Sequence, residues 1–169
     1  MTKFEELCKI YSNAGKDFNN YRWKCIDFAT KMGEGLADYL ECKTDDIQYY
    51  MVSNLPQSKE SRLPQEAHPR DALFLEDDTF WHYGMGINLY MEGIKNPATT
   101  YIFELAIKEN KNFIIKFIKQ QQEFNIDPSK TADLQPVYEF IFDEIKGRFD
   151  NELEKFLKHN STEHYPGYI

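Results

Sequence analysis

Trp81-His82-Tyr83-Gly84-Met85-Gly86-Ile87-Asn88-Leu89-Tyr90-Met91 alternates without a break. Successive side chains of a strand leave opposite faces, so Trp81, Tyr83, Met85, Ile87, Leu89 and Met91 share one face. His82, Gly84, Gly86, Asn88 and Tyr90 share the other. A large apolar face backed by a small, polar one is the pattern of an antiparallel strand with one side on a core.

The same period of two recurs outward from this stretch. Ile47, Tyr49 and Met51 alternate with Gln48 and Tyr50, and Tyr101, Phe103, Leu105 and Ile107 mark a strand after the Gly93–Pro97 turn. Glu109–Asn112 predicts a tight turn into Phe113, Ile115 and Phe117, while Ala72–Leu75 is a shorter apolar run followed by turn residues Glu76–Thr79. These segments predict about five antiparallel strands.

Both ends change to a helical period. Phe4, Leu7, Tyr11, Ala14, Phe18, Tyr21, Cys25, Phe28 and Met32 recur at alternating steps of three and four, which is one face of a helix. Thr2 and Glu5 have the spacing of a capping box. Asn13-Ala14-Gly15 offers a kink and Gly33-Glu34-Gly35 a place to fray. The stripe is expected to pack on the chain's own sheet, with a dimer seam as the other use of a heptad. Val137, Phe140, Ile141, Ile145, Phe149, Leu153 and Phe156 predict a C-terminal helix through residue 157. The expected fold is therefore α+β, a two-layer sandwich in which a long N-terminal and a C-terminal helix cover one face of an antiparallel sheet.

A chain of 169 residues without internal repeat or composition shift predicts one domain over 1–169. Residues 54–71 carry three prolines and few large apolar groups, which predicts a long exposed loop, and residues 160–169 read as a polar tail. With 13 Phe and 11 Tyr the chain has ample material for a core, which excludes wholesale disorder. Three cysteines, Cys8, Cys25 and Cys42, sit 17 residues apart, too far for a metal motif, and fit a cytoplasmic, reducing setting with unpaired thiols. The absence of a long apolar run predicts no membrane span, and the charged start lacks the core of a signal peptide.

A net charge of −8 argues against nucleic acid, whose binding depends on Lys and Arg neutralising phosphates. The charge is uneven. Residues 46–80 hold three basic against seven acidic groups, residues 132–169 four against eight, and the first helix balances. Glu76, Asp77 and Asp78 in one segment and Asp143 and Glu144 in the other are thus candidate contacts for a basic protein partner. Tyr49, Tyr50, Trp81, Tyr83, Tyr90 and Tyr101 are candidate hot spots wherever they are exposed.

No nucleophile elbow, phosphate loop or metal-ligand spacing occurs, so no catalytic residue, metal or cofactor is expected. His82, Gly84, Gly86, Asn88 and Glu104 form an alternative site, because two glycines on one strand face leave room for a ligand between polar groups. Three functional expectations follow. The first is a non-catalytic protein-binding domain with an acidic surface, of the immunity, inhibitor or secretion-chaperone type. The second is a small-molecule-binding domain or enzyme with a cleft near His82, Asn88 and Glu104. The third is a homodimer through the N-terminal helix, so the chain is expected as a monomer or homodimer.

Overall fold

Seven antiparallel strands form one sheet in the computed structural model, which describes residues 1–52, 64–150 and 152–158. The strands are β1 (Ile47–Met51), β2 (Gln65–Ala67), β3 (Phe74–Leu75), β4 (Trp81–Leu89), β5 (Thr99–Asn110), β6 (Asn112–Phe117) and β7 (Gln122–Ile126). The helices are α1 (Lys3–Leu40), α2 (Pro69–Ala72), α3 (Gln135–Phe149) and α4 (Glu152–Lys158). Spatial order is β2-β1-β4-β5-β6-β7. β1 pairs Gly84–Ile87 of β4 and β3 pairs Trp81 and His82, so those two strands follow one another along a single edge of β4.

Register carries the alternation across the sheet. Tyr83 faces Leu105, Met85 faces Phe103, and Leu105 in turn faces Phe117, so the apolar residues of β4, β5 and β6 share an inner face. Helices α1 and α3 cover that face. From α1 come Cys25, Phe28, Ala29, Met32 and Leu36, and from α3 Val137 and Ile141, all buried with the inner strand residues in one cluster. Phe28 stacks on Phe113 at 3.9 Å, and Phe140 meets Phe117 edge-on at 4.9 Å. The fold is the α+β two-layer sandwich that the periods predict, with helices on one face.

Several local expectations change. The helix neither ends at Asn13–Gly15 nor frays at Gly33–Gly35; α1 runs unbroken for 38 residues to Leu40 and is capped by Glu41 in the left-handed conformation, φ 54°. Gly33 and Gly35 serve close approach. A Cβ on Gly33 would fall on the Tyr49 hydroxyl and one on Gly35 on the Tyr138 hydroxyl. Tyr49 Oη donates to the Ala29 carbonyl at 3.0 Å across that contact.

The segment expected as a loop over 54–71 is described only from residue 64, and there it forms strand β2 on Tyr49–Met51 and the short helix α2. Arg22 Nη2 ties that helix to α1 by donating to the Arg70 carbonyl at 2.8 Å. Strand β7 was not predicted, because Gln122, Glu123 and Asn125 make it polar; it is an edge strand, whose open side needs no apolar cover. Strand β4 stops at Leu89, leaving Tyr90 and Met91 exposed. The C-terminal helix stops at Phe149 and a second helix resumes at Glu152. The tail, 160–169, lies outside the described residues.

Candidate functional site

Strand β4 places its small and polar residues on the sheet's outer face. There His82 is 6% exposed, its Nε2 2.9 Å from Asp78 Oδ2, and its ring lies against Phe74. Asp78 closes the β3–β4 turn, its Oδ1 accepting the Phe80 N–H at 3.0 Å. Partial burial pushes the Asp78 carboxyl up, but the Phe80 N–H and His82 outweigh it and hold its pKa below the ordinary value.

The space above Gly84 and Gly86 is filled. A Cβ on either would meet the Tyr50 side chain, with Val52 and Ile102 beside Gly84 and Thr100 beside Gly86. Tyr50 is the residue of β1 paired with Gly84, so the glycines accommodate a ring from the neighbouring strand. Asn88 Oδ1 accepts from Thr100 Oγ1 at 2.7 Å. Glu104 pairs with Lys119 at 2.9 Å, while Lys108 donates to Thr79 Oγ1. Each polar side chain of this set thus has an intramolecular partner, and the glycines face protein atoms.

The two acidic groups lie on different layers. Asp78 turns to His82 on the outer face, whereas Asp143 and Glu144 ride on α3, which packs on the inner one. No hydrogen bond or ion pair among the described residues joins the groups. Asp77 and Asp143 are exposed. Cys25 is buried, and burial pushes its thiol up to about 11, so it stays protonated as an ordinary core residue. Burial likewise raises the Tyr49, Tyr83 and Tyr138 hydroxyls, Tyr138 to about 12. Trp81 Nε1 and Tyr83 Oη are buried without a hydrogen-bond partner among the described residues. No group of three or more metal-ligating side chains, and no helix apolar enough to cross a membrane, occurs among the described residues.

The largest departure from expectation is on α1. Its stripe joins the packed core from Tyr21 and Cys25 onward, where Tyr21 Oη accepts the Glu109 N–H at 3.3 Å and Lys24 pairs with Glu109. Every one of residues 1–20 is exposed. Eighteen helical residues at 1.5 Å each make a free arm of roughly 27 Å. It carries Phe4 (73% exposed), Leu7, Ile10, Tyr11 (83%) and Phe18 in the open. Phe18, at the base of the arm, meets the Trp81 ring at 5.9 Å.

The arm's helix is held at both ends. Thr2 and Glu5 complete the capping box, the Thr2 hydroxyl accepting the Glu5 N–H and the Glu5 carboxylate accepting the Thr2 N–H. At the other end it continues the docked half, which supplies the costly nucleus that an isolated segment lacks. Comparison with protein-family models, curated proteins and solved structures returns no match.

Proposed function

We propose that this chain is a protein-interaction module that holds its partner along the apolar stripe of the α1 arm, a helical face suited to a second amphipathic helix. The observation that carries this reading is five large apolar side chains, Phe4, Leu7, Ile10, Tyr11 and Phe18, exposed together on one preformed helix. Contiguous apolar patches are rare on isolated soluble chains and mark contact surfaces. The helix is already formed, so a partner need not supply its ordering entropy. A photo-cross-linking residue at Tyr11 tests it in cells. A protein adduct is expected there and none from the same residue at Tyr90, which is exposed but off the arm. No adduct from Tyr11 would remove this reading.

A second reading keeps the acidic surface, in the manner of an immunity protein, inhibitor or secretion chaperone. Glu76, Asp77, Asp143 and Glu144 support it, because none of them has an ion-pair partner among the described residues and their charge is free to meet a basic protein. Asp78 is not part of that set, being held by His82. Reversal of the four charges should weaken binding of a basic protein by about tenfold or more if this surface is used; unchanged binding refutes it.

A further inference from the structure

Resting on the reading of the arm as a contact surface, we infer that its partner is a second copy of this chain, the two arms packing antiparallel about a two-fold axis. The stripe of the arm is Phe4, Leu7, Tyr11, Ala14 and Phe18, at alternating spacings of three and four, the seam of a two-helix pair. Aromatics set against themselves at the centre of the pair would hold the two helices apart, and an antiparallel register avoids this there. Tyr11 of each copy lies against Ala14 of the other, and Leu7 then lies against Phe18. Gly15, with open space around it, leaves room beside the Tyr11 ring.

Charge favours the same arrangement. The arm carries Lys3, Lys9 and Lys16 against Glu5, Glu6 and Asp17, so it is neutral, and the chain's net charge of −8 belongs to the remainder. A basic partner finds no excess of acid on the arm, whereas two neutral arms meet without repulsion. Antiparallel packing also sends the two acidic bodies to opposite ends of the pair, and a parallel pair would crowd them together. The exposed side chains amount to roughly 500 Å² per copy, given the 150–250 Å² that an aromatic side chain buries. Twice that reaches the roughly 1,000 Å² that a specific interface needs.

Sedimentation equilibrium of the full chain, from about 1 to about 100 µM, decides the matter. The expected result is a reversible dimer that Tyr11→Glu and Leu7→Glu each weaken by about tenfold or more, with unfolding midpoints unchanged at concentrations where the wild type is monomeric, because both residues are exposed in the single chain. A wild-type chain that stays monomeric throughout overturns the inference, and so does a dimer indifferent to both substitutions. A spin label at Lys3 fixes orientation. Antiparallel arms hold the two labels roughly 25–30 Å apart along the helices, and labels side by side overturn the antiparallel register. The cross-linking at Tyr11 separates the two levels. An adduct with a chain of different mass, from a protein that sediments as a monomer, overturns the second copy and leaves the arm as a contact surface. No adduct removes both.

Discussion

The two halves of α1 share a sequence pattern and differ in everything the pattern is taken to mean. From Phe4 to Phe18 and from Tyr21 to Met32 the stripe keeps the same spacing on one unbroken helix. Yet Cys25, Ala29, Met32 and Leu36 are fully buried, and Phe4 and Tyr11 are almost fully open. Periodicity specifies which side of a helix is apolar; what that side meets depends on where the sheet ends. The difference is one of length. Twelve residues of β5, the longest strand, span about 40 Å, while the 38 residues of α1 span about 57 Å. The helix is longer than any strand beneath it, and its N-terminal part is what overhangs.

The comparison breaks most visibly under truncation. Leu36→Ala in the docked half removes a fully buried side chain and should cost about 2–5 kcal/mol in denaturant unfolding. Leu7→Ala, the same chemistry in the arm, should stay within about 0.5 kcal/mol of wild type when both are unfolded at concentrations where the chain is monomeric. Equal losses would mean that the arm is part of the core.

Glycine replacement should then change sign between the halves. Gly15→Ala places a methyl in open space and should raise the helicity of the arm, alanine being favoured by about 1 kcal/mol in a helix interior. Gly33→Ala gains the same propensity but drives its methyl onto Tyr49, whose hydroxyl is tied to Ala29. Its net effect should be a loss of roughly 1–3 kcal/mol. Circular dichroism reads the first and chemical unfolding the second; a stabilised Gly33→Ala would show that Tyr49 moves aside freely.

Capping gives a smaller contrast, confined to the arm. Thr2→Ala removes the hydroxyl that accepts the Glu5 N–H and should cost about 1 kcal/mol at the tip. Amide exchange should speed up over the first turn and remain unchanged from Cys25 onward. Uniform acceleration along α1 would mean that its halves unfold together.

The smallest effect lies away from the helix. Asp78 has a lowered pKa, so its contribution to stability is present above the unfolded-state pKa of an aspartate and is lost as pH falls through the folded value. Asp78→Asn should therefore flatten the loss of stability on the acid side and leave the association of the arm unchanged at neutral pH. An unaltered acid profile would show that the carboxylate's bonds to Phe80 and His82 contribute nothing net.

Much of this architecture was legible in the residues, and the failures have causes. β4 announced itself because one face is buried in helices and the other is small, so its alternation is unbroken. β7 escaped because an edge strand can be polar throughout. Gly33 and Gly35 read as fraying points because helix propensity is local, and the tyrosines that make them useful come from β1 and α3. Gly84 and Gly86 correctly signalled close approach, but the approaching group, Tyr50, belongs to the neighbouring strand. The arm was expected in the core, although strand length against helix length was already a signal that the two layers could not match.

By itself, then, the sequence determined the periods: where the central strands and the two long helices lie, which faces are apolar, how α1 is capped, and how charge is apportioned. Those properties depend on residues a few positions apart. Only the tertiary structure decided that the stripe of α1 is half core and half open surface, that Tyr50 fills the glycine-lined space, and that Asp78 and Asp143 lie on different layers. Each of these is set by what a distant segment brings alongside, and burial belongs to the pair in contact rather than to either residue.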